Sequence, residues 1–196
     1  FAELADKAFG SLAFGEYANA FAGWSPTEQK MFREGQRLYK SGLKQSDPAA
    51  ARADLQRSLN LARALGDTWG QAMAKTALVD VTMQLGEFYD AMAISTDVIE
   101  LNAKLQLKED TAQAFRLAGR AALKSDQPVS SVSYHAQAWT IVESDPDVTS
   151  ELREEVFEEY LSVLEKLGMK DRADALRKAH ARTFAKPEGA APAAKQ

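Results

Sequence analysis

The chain has 196 residues, 45% hydrophobic and 27% charged, with a net charge of −4. That composition supplies one soluble domain with a sizeable core, and the acidic balance argues against the basic face that nucleic-acid binding requires. Cysteine is absent, which removes disulfides, thiolate metal sites and cysteine nucleophiles, and no apolar run approaches the roughly 18 residues of a membrane span.

In the first 24 residues, Phe14, Tyr17, Phe21 and Trp24 recur at steps of three, four and three, predicting a helix with one aromatic face. Gly10 and Gly15 weaken its start, by roughly 1 kcal/mol each relative to alanine. Phe9 and Leu12 fall off the stripe and add apolar surface for a partner. Two roles fit this helix: a cap packed on Phe32 and Leu38, or a docking element for another subunit. Phe1 in place of Met reads as truncation or processing. A cytoplasmic location is favoured, with a periplasmic or other exported one left open.

Farther on, "SPTE" at Ser25–Glu28 reads as a capping box with Pro26 at the first helical position. Pro48, Phe88 and Pro128 then each open a helical segment at a spacing of 40 residues, and one more step reaches Gly168. Met73, Ala74, Ala77, Leu78, Val81 and Leu85 form an apolar stripe before Gly86; Phe88, Ala91, Met92, Ser95, Val98 and Ile99 form another after it. Gly86 therefore marks the turn of a helix–turn–helix. "ALGD", ending at Asp67, and "SDPD", ending at Asp147, mark boundaries two periods apart. Paired helices at a fixed period of about 40 residues predict an all-α solenoid, because no single pair can bury its own apolar face. The organisation expected is an N-terminal helix over 1–24, about four antiparallel helix pairs over 25–184, and a disordered tail over 185–196, where "KPEGAAPAAKQ" is small, polar and proline-rich.

Residues Ala72 to Ala103 resemble a tetratricopeptide repeat (TPR) of the longer-helix variety, through Leu78, Val79, Gly86, Phe88, Ala91, Val98 and Leu101. Lys75 and Thr82 stand where the family carries tryptophan and tyrosine. Looser matches run over Glu28–Asp67 (Gly35, Tyr39, Ala51, Leu55, Leu59), over Asp110–Ser144 (Leu117, Gly119, Ala138) and over Ser150–Phe184. The resemblance implies a right-handed solenoid whose first helices line a concave groove exposing Phe32, Gln36, Tyr39, Met73, Thr76, Asp80, Met83, Arg116, Arg120 and Leu123. Arg116 and Arg120 are four apart, suited to a carboxylate, and resemble the last part of the family's carboxylate clamp. The rest of that clamp is missing, with Phe32, Gln36 and Asp80 in place of its lysine and asparagines. The adopted reading is that Asp80 neutralises the two arginines within the array.

Catalysis needs convergent groups, and none is visible. His135 and His180 lie alone on separate helices and read as ordinary surface or groove residues; Glu151, Glu154, Glu155 and Glu158 share a helical face that reads as solvated. The expectation is a non-enzyme with no cofactor and no metal: a protein–protein interaction module, namely a TPR adaptor or scaffold subunit of a hetero-complex that binds a protein or peptide. The alternative is a peptide-sensing TPR regulatory domain of a signalling protein.

Overall fold

The computed structural model of the protein describes residues 2–184; the tail expected over 185–196 lies outside the described residues. Ten helices follow one another: α1 (Ala2–Phe9), α2 (Ala13–Gly23), α3 (Pro26–Gly42), α4 (Pro48–Leu65), α5 (Thr68–Gln84), α6 (Phe88–Lys104), α7 (Lys108–Lys124), α8 (Pro128–Ser144), α9 (Ser150–Lys166) and α10 (Lys170–Phe184). No strand occurs among the described residues, and no helix among them is long and apolar enough to cross a membrane.

The 40-residue spacing resolves into a shorter beat. Helices α4 to α8 begin at 48, 68, 88, 108 and 128. After α4, α5, α6 and α7 the turn places one residue in the left-handed region, at Gly66, Gly86, Gln106 and Asp126, with φ of 66°, 78°, 56° and 59°. Glycine reaches that region at no steric cost, whereas Gln106 and Asp126 pay roughly 1–2 kcal/mol for it. A very short turn leaves the chain no option but to reverse, so each helix packs against the next from α3 to α10. In addition α5 touches α7 and α7 touches α9, so these three odd-numbered helices share a face.

The helix starts are local chemistry. In the box at Ser25, Oγ accepts the Glu28 N–H at 3.3 Å, and the Glu28 carboxylate accepts the Ser25 N–H at 2.7 Å. Asp47 and Asp67 cap α4 and α5 through the N–H groups of Ala49 and Gly70. The other expected boundary residue, Asp147, caps nothing. The α8–α9 connection spans residues 145–149, two more than the three-residue turns, so α9 opens at Ser150 instead.

Small residues set the close approaches between helices. Ala91 is fully buried in a cluster with Val79, Leu117 and Ala121. Lys75 and Thr82, at positions where the family carries large rings, are also buried. The Lys75 ammonium meets the Asp97 carboxylate, and the Thr82 hydroxyl donates to the Leu78 carbonyl at 2.6 Å. Toward the C-terminus the core enlarges around Trp139, Val142, Val156, Tyr160 and Leu164.

The N-terminal region differs from expectation. It forms two helices, because Gly10 turns left-handed (φ 60°) and ends α1. Leu12, at the N-cap of α2, provides no side-chain cap. Asp6 reaches back from α1 to do so, accepting the Phe14 N–H at 2.9 Å and the Gly15 N–H at 2.7 Å. The Leu12 N–H donates to the Leu105 carbonyl at 2.9 Å, which ties the segment to the α6–α7 turn. The segment therefore reaches past the first helix pair instead of only closing the end of the stack.

Candidate functional site

The aromatic stripe packs on the body of the protein. Tyr17, Phe21 and Trp24 surround Phe32 of α3, with ring centroids 5.4, 5.9 and 5.2 Å away. Phe14 and Tyr17 also stand edge to face against Trp69 of α5, at 5.8 and 6.2 Å. These are the separations at which aromatic pairs attract, each worth about 0.5–1.5 kcal/mol beyond area burial. Leu12 remains 42% exposed, and the side chain of Phe9 lies outside the described part. Leu38, named beside Phe32 as a support for this helix, is buried, and the ring contacts go to Phe32 and Trp69.

Beneath α2 lies a cavity of about 360 Å³, bounded by α2, α3, the end of α4 and the start of α5. Tyr17, Phe32, Tyr39 and Trp69 line it with rings; Leu61, Leu65 and Met73 add aliphatic wall, and Gln36 and Lys40 add polar groups. Its volume lies near the lower end of small-ligand pockets, and an apolar wall with few polar groups is their usual character. The carboxylate on the lining is Asp67, whose residue is 7% exposed. Burial raises its carboxyl above the ordinary range, against the lowering effect of its hydrogen bond from Gly70. Burial first, and then the Asp67 charge, raise the Tyr17 phenol as well. Of the residues assigned to the groove, Phe32, Gln36, Tyr39 and Met73 meet here. In the sequence Asp67 marks only a boundary between helix pairs, and nothing singles out Trp69.

The remaining assigned residues lie along α5 and α7. Thr76 donates to the Ala72 carbonyl at 2.9 Å, and Met83 packs on the Ala91 cluster. Leu123 is half-buried against the C-terminal core. Asp80 is exposed, within electrostatic reach of Arg120 and Arg116, but forms no salt bridge with either among the described residues. Arg116 is instead neutralised from α9: its guanidinium meets Glu155 at 3.0 Å and Glu159 at 2.7 Å. It is 8% exposed, whereas Arg120 is exposed and only grazes Glu159 at 4.0 Å. The adopted partner, Asp80, is thus replaced in contact by two glutamates one helix pair onward. Burial outweighs both arginines at Glu159 and raises its carboxyl.

Glu151, Glu154, Glu155 and Glu158 are all exposed on α9, as a solvated face requires, although Glu155 also meets Arg116 and Glu154 contacts His180 at 3.0 Å. One further reading is overturned. His135 is not a surface residue: it is 1% exposed, stacked on Tyr160 with centroids 6.3 Å apart. Burial, followed by the charges of Arg116 and Arg120, lowers its pKa to about 4. Its Nδ1 and the nearby Ser131 Oγ are buried with no hydrogen-bond partner among the described residues. His180 is half-buried, stacked on Phe157 at 3.9 Å.

The class that fold and site define is an all-α protein of sequentially packed helices with a repeat-like beat, carrying an aromatic-walled cavity under α2 and a partly buried ion-pair network between α7 and α9. No protein-family model and no curated protein matches the chain.

Proposed function

We propose that the protein is a non-catalytic protein–protein interaction module, a TPR-type adaptor or scaffold subunit that holds a peptide segment of its partner. In this reading the helix pairs α3–α4, α5–α6, α7–α8 and α9–α10 form a right-handed solenoid, and the face shared by the odd-numbered helices is its binding side. The observation that carries the reading is the cavity between α2, α3 and α5, where four residues of that face converge with two rings, Tyr17 of α2 and Trp69 of α5, on one apolar recess. The polar network farther along the same face, with Arg120 and Asp80 exposed, supplies charges for the rest of a bound segment.

Selection from a random-peptide display library on the immobilised chain tests it. Binders should emerge that lose affinity to the variants Met73→Lys and Tyr39→Ala, both of which alter the lining of the recess. A library that yields no binders, or binders indifferent to both substitutions, would overturn the proposal.

A further inference from the structure

Asp67 is charged beyond what its capping role requires. Capping α5 uses one oxygen, and Oδ1 provides it by accepting the Gly70 N–H at 2.8 Å. Asparagine and serine cap a helix about as well without bringing a net charge. Oδ2 accepts no hydrogen bond among the described residues and is not fully enclosed: it faces the open space of the cavity, although the residue as a whole is only 7% exposed. A carboxylate held this way is costly unless something compensates it. Gly70 contributes to the arrangement, since a Cβ there would overlap Oδ2. Around this carboxylate the cavity wall is aromatic: Tyr17, Phe32, Tyr39 and Trp69. The faces of such rings attract cations, by about 0.5–1 kcal/mol at exposed sites and about 2 kcal/mol when desolvated.

We infer that the cavity receives a basic side chain of the partner: the guanidinium or ammonium head of an arginine or lysine in the bound peptide segment. The head meets Asp67 among the rings, and the methylene stem runs along the aliphatic wall at Met73. A long basic side chain is the occupant that matches both halves of the lining, apolar along its stem and positive at its tip. Charge complementarity excludes an acidic side chain, which would face a buried carboxylate. Lys40, the other ionised group on the lining, stands eight residues beyond Phe32 on α3, about 12 Å along the helix. It is exposed and forms no ion pair with Asp67 among the described residues, so it leaves that carboxylate to the ligand.

The inference rests on the peptide-binding reading, and two arms of one experiment separate them. In the first, butylguanidinium and its neutral analogue butylurea are titrated into the full chain while the Trp69 indole N–H is followed by NMR. Butylguanidinium should shift that resonance saturably and bind at least about tenfold more tightly than butylurea. The variant Asp67→Asn keeps the cap and removes the charge, so it should retain its melting temperature and lose the preference. Equal binding of the two compounds, an undiminished preference in Asp67→Asn, or no response at Trp69 would each overturn the inference. In the second arm, the library-selected peptides should be enriched in arginine or lysine, and replacing that residue by citrulline should cost about tenfold in affinity. Peptides that bind without a basic residue would overturn the inference and leave the peptide reading standing. Butylguanidinium discrimination with no peptide binding would do the reverse, keeping the cation site and removing the peptide.

Discussion

Replacing Gly119 by alanine tests the packing of α7 against α8, because two opposed effects of known size meet there. Alanine in a helix interior stabilises by about 0.5–1 kcal/mol relative to glycine. A Cβ at Gly119, however, would stand 2.7 Å from both Cδ2 and Nε2 of His135, and 3.0 Å from Cε1. The ring cannot swing aside easily, since it is 1% exposed and stacked on Tyr160. Overpacking of this kind costs about 1–3 kcal/mol, which exceeds the helical gain, so the net loss should be about 1–2 kcal/mol. For a chain of this size each kcal/mol moves the melting temperature by about 2–4 °C, giving a drop of roughly 2–8 °C. Thermal and urea unfolding followed by circular dichroism at pH 7 would measure it. A double-mutant cycle with His135→Ala should show coupling of about 1 kcal/mol, because removing the ring removes the clash. A melting temperature for Gly119→Ala equal to or above that of the parent would show that the ring yields, and the reasoning would fail.

Three other outcomes are expected. His135 holds its proton only below a pKa of about 4 in the folded chain, against 6.5 when unfolded. Stability should therefore fall as pH drops from 6.5 to about 4, by about 3 kcal/mol across the window; urea titrations of the parent and of His135→Gln should differ in that slope, and equal slopes would contradict the assignment. Arg116→Ala should cost roughly 2 kcal/mol, between the values for buried and exposed ion pairs, because it strands Glu159. Arg120→Ala should cost less than about 1 kcal/mol, and similar losses for the two would dissolve the distinction drawn between them. Deleting residues 1–24 should lower the melting temperature by uncovering Phe32 and Trp69; an unchanged value would mean that α2 does not pack on α3 and α5.

Much of the secondary structure was legible because its causes are local. The box at Ser25, the prolines at 26, 48 and 128, and the glycine at 86 each act within a few residues, so their positions could be read along the chain. The 20-residue beat was hidden beneath the 40-residue one, since Gln106 and Asp126 take the left-handed role that glycine announces elsewhere. The aromatic stripe of α2 was visible at its helical spacing. The N-terminal segment breaks where Gly10 turns left-handed, and the cap that Asp6 then gives the second helix is one that no periodicity reveals.

What the amino-acid sequence determined by itself is the all-helical character, most of the helix boundaries and the small residues at close contacts, because capping, periodicity and turn conformation are short-range. What only the tertiary structure decided is which groups meet. Two extra residues between α8 and α9 shift the start of α9 by two places in the repeat, and it is Glu155 and Glu159 of that helix, not Asp80 of α5, that meet Arg116. In the same way, Asp67 became a buried charge in an aromatic cavity only when α2 laid Tyr17 beside Trp69. Burial and charge pairing depend on neighbours tens of residues away, and it is the stacking of the helices that chooses them.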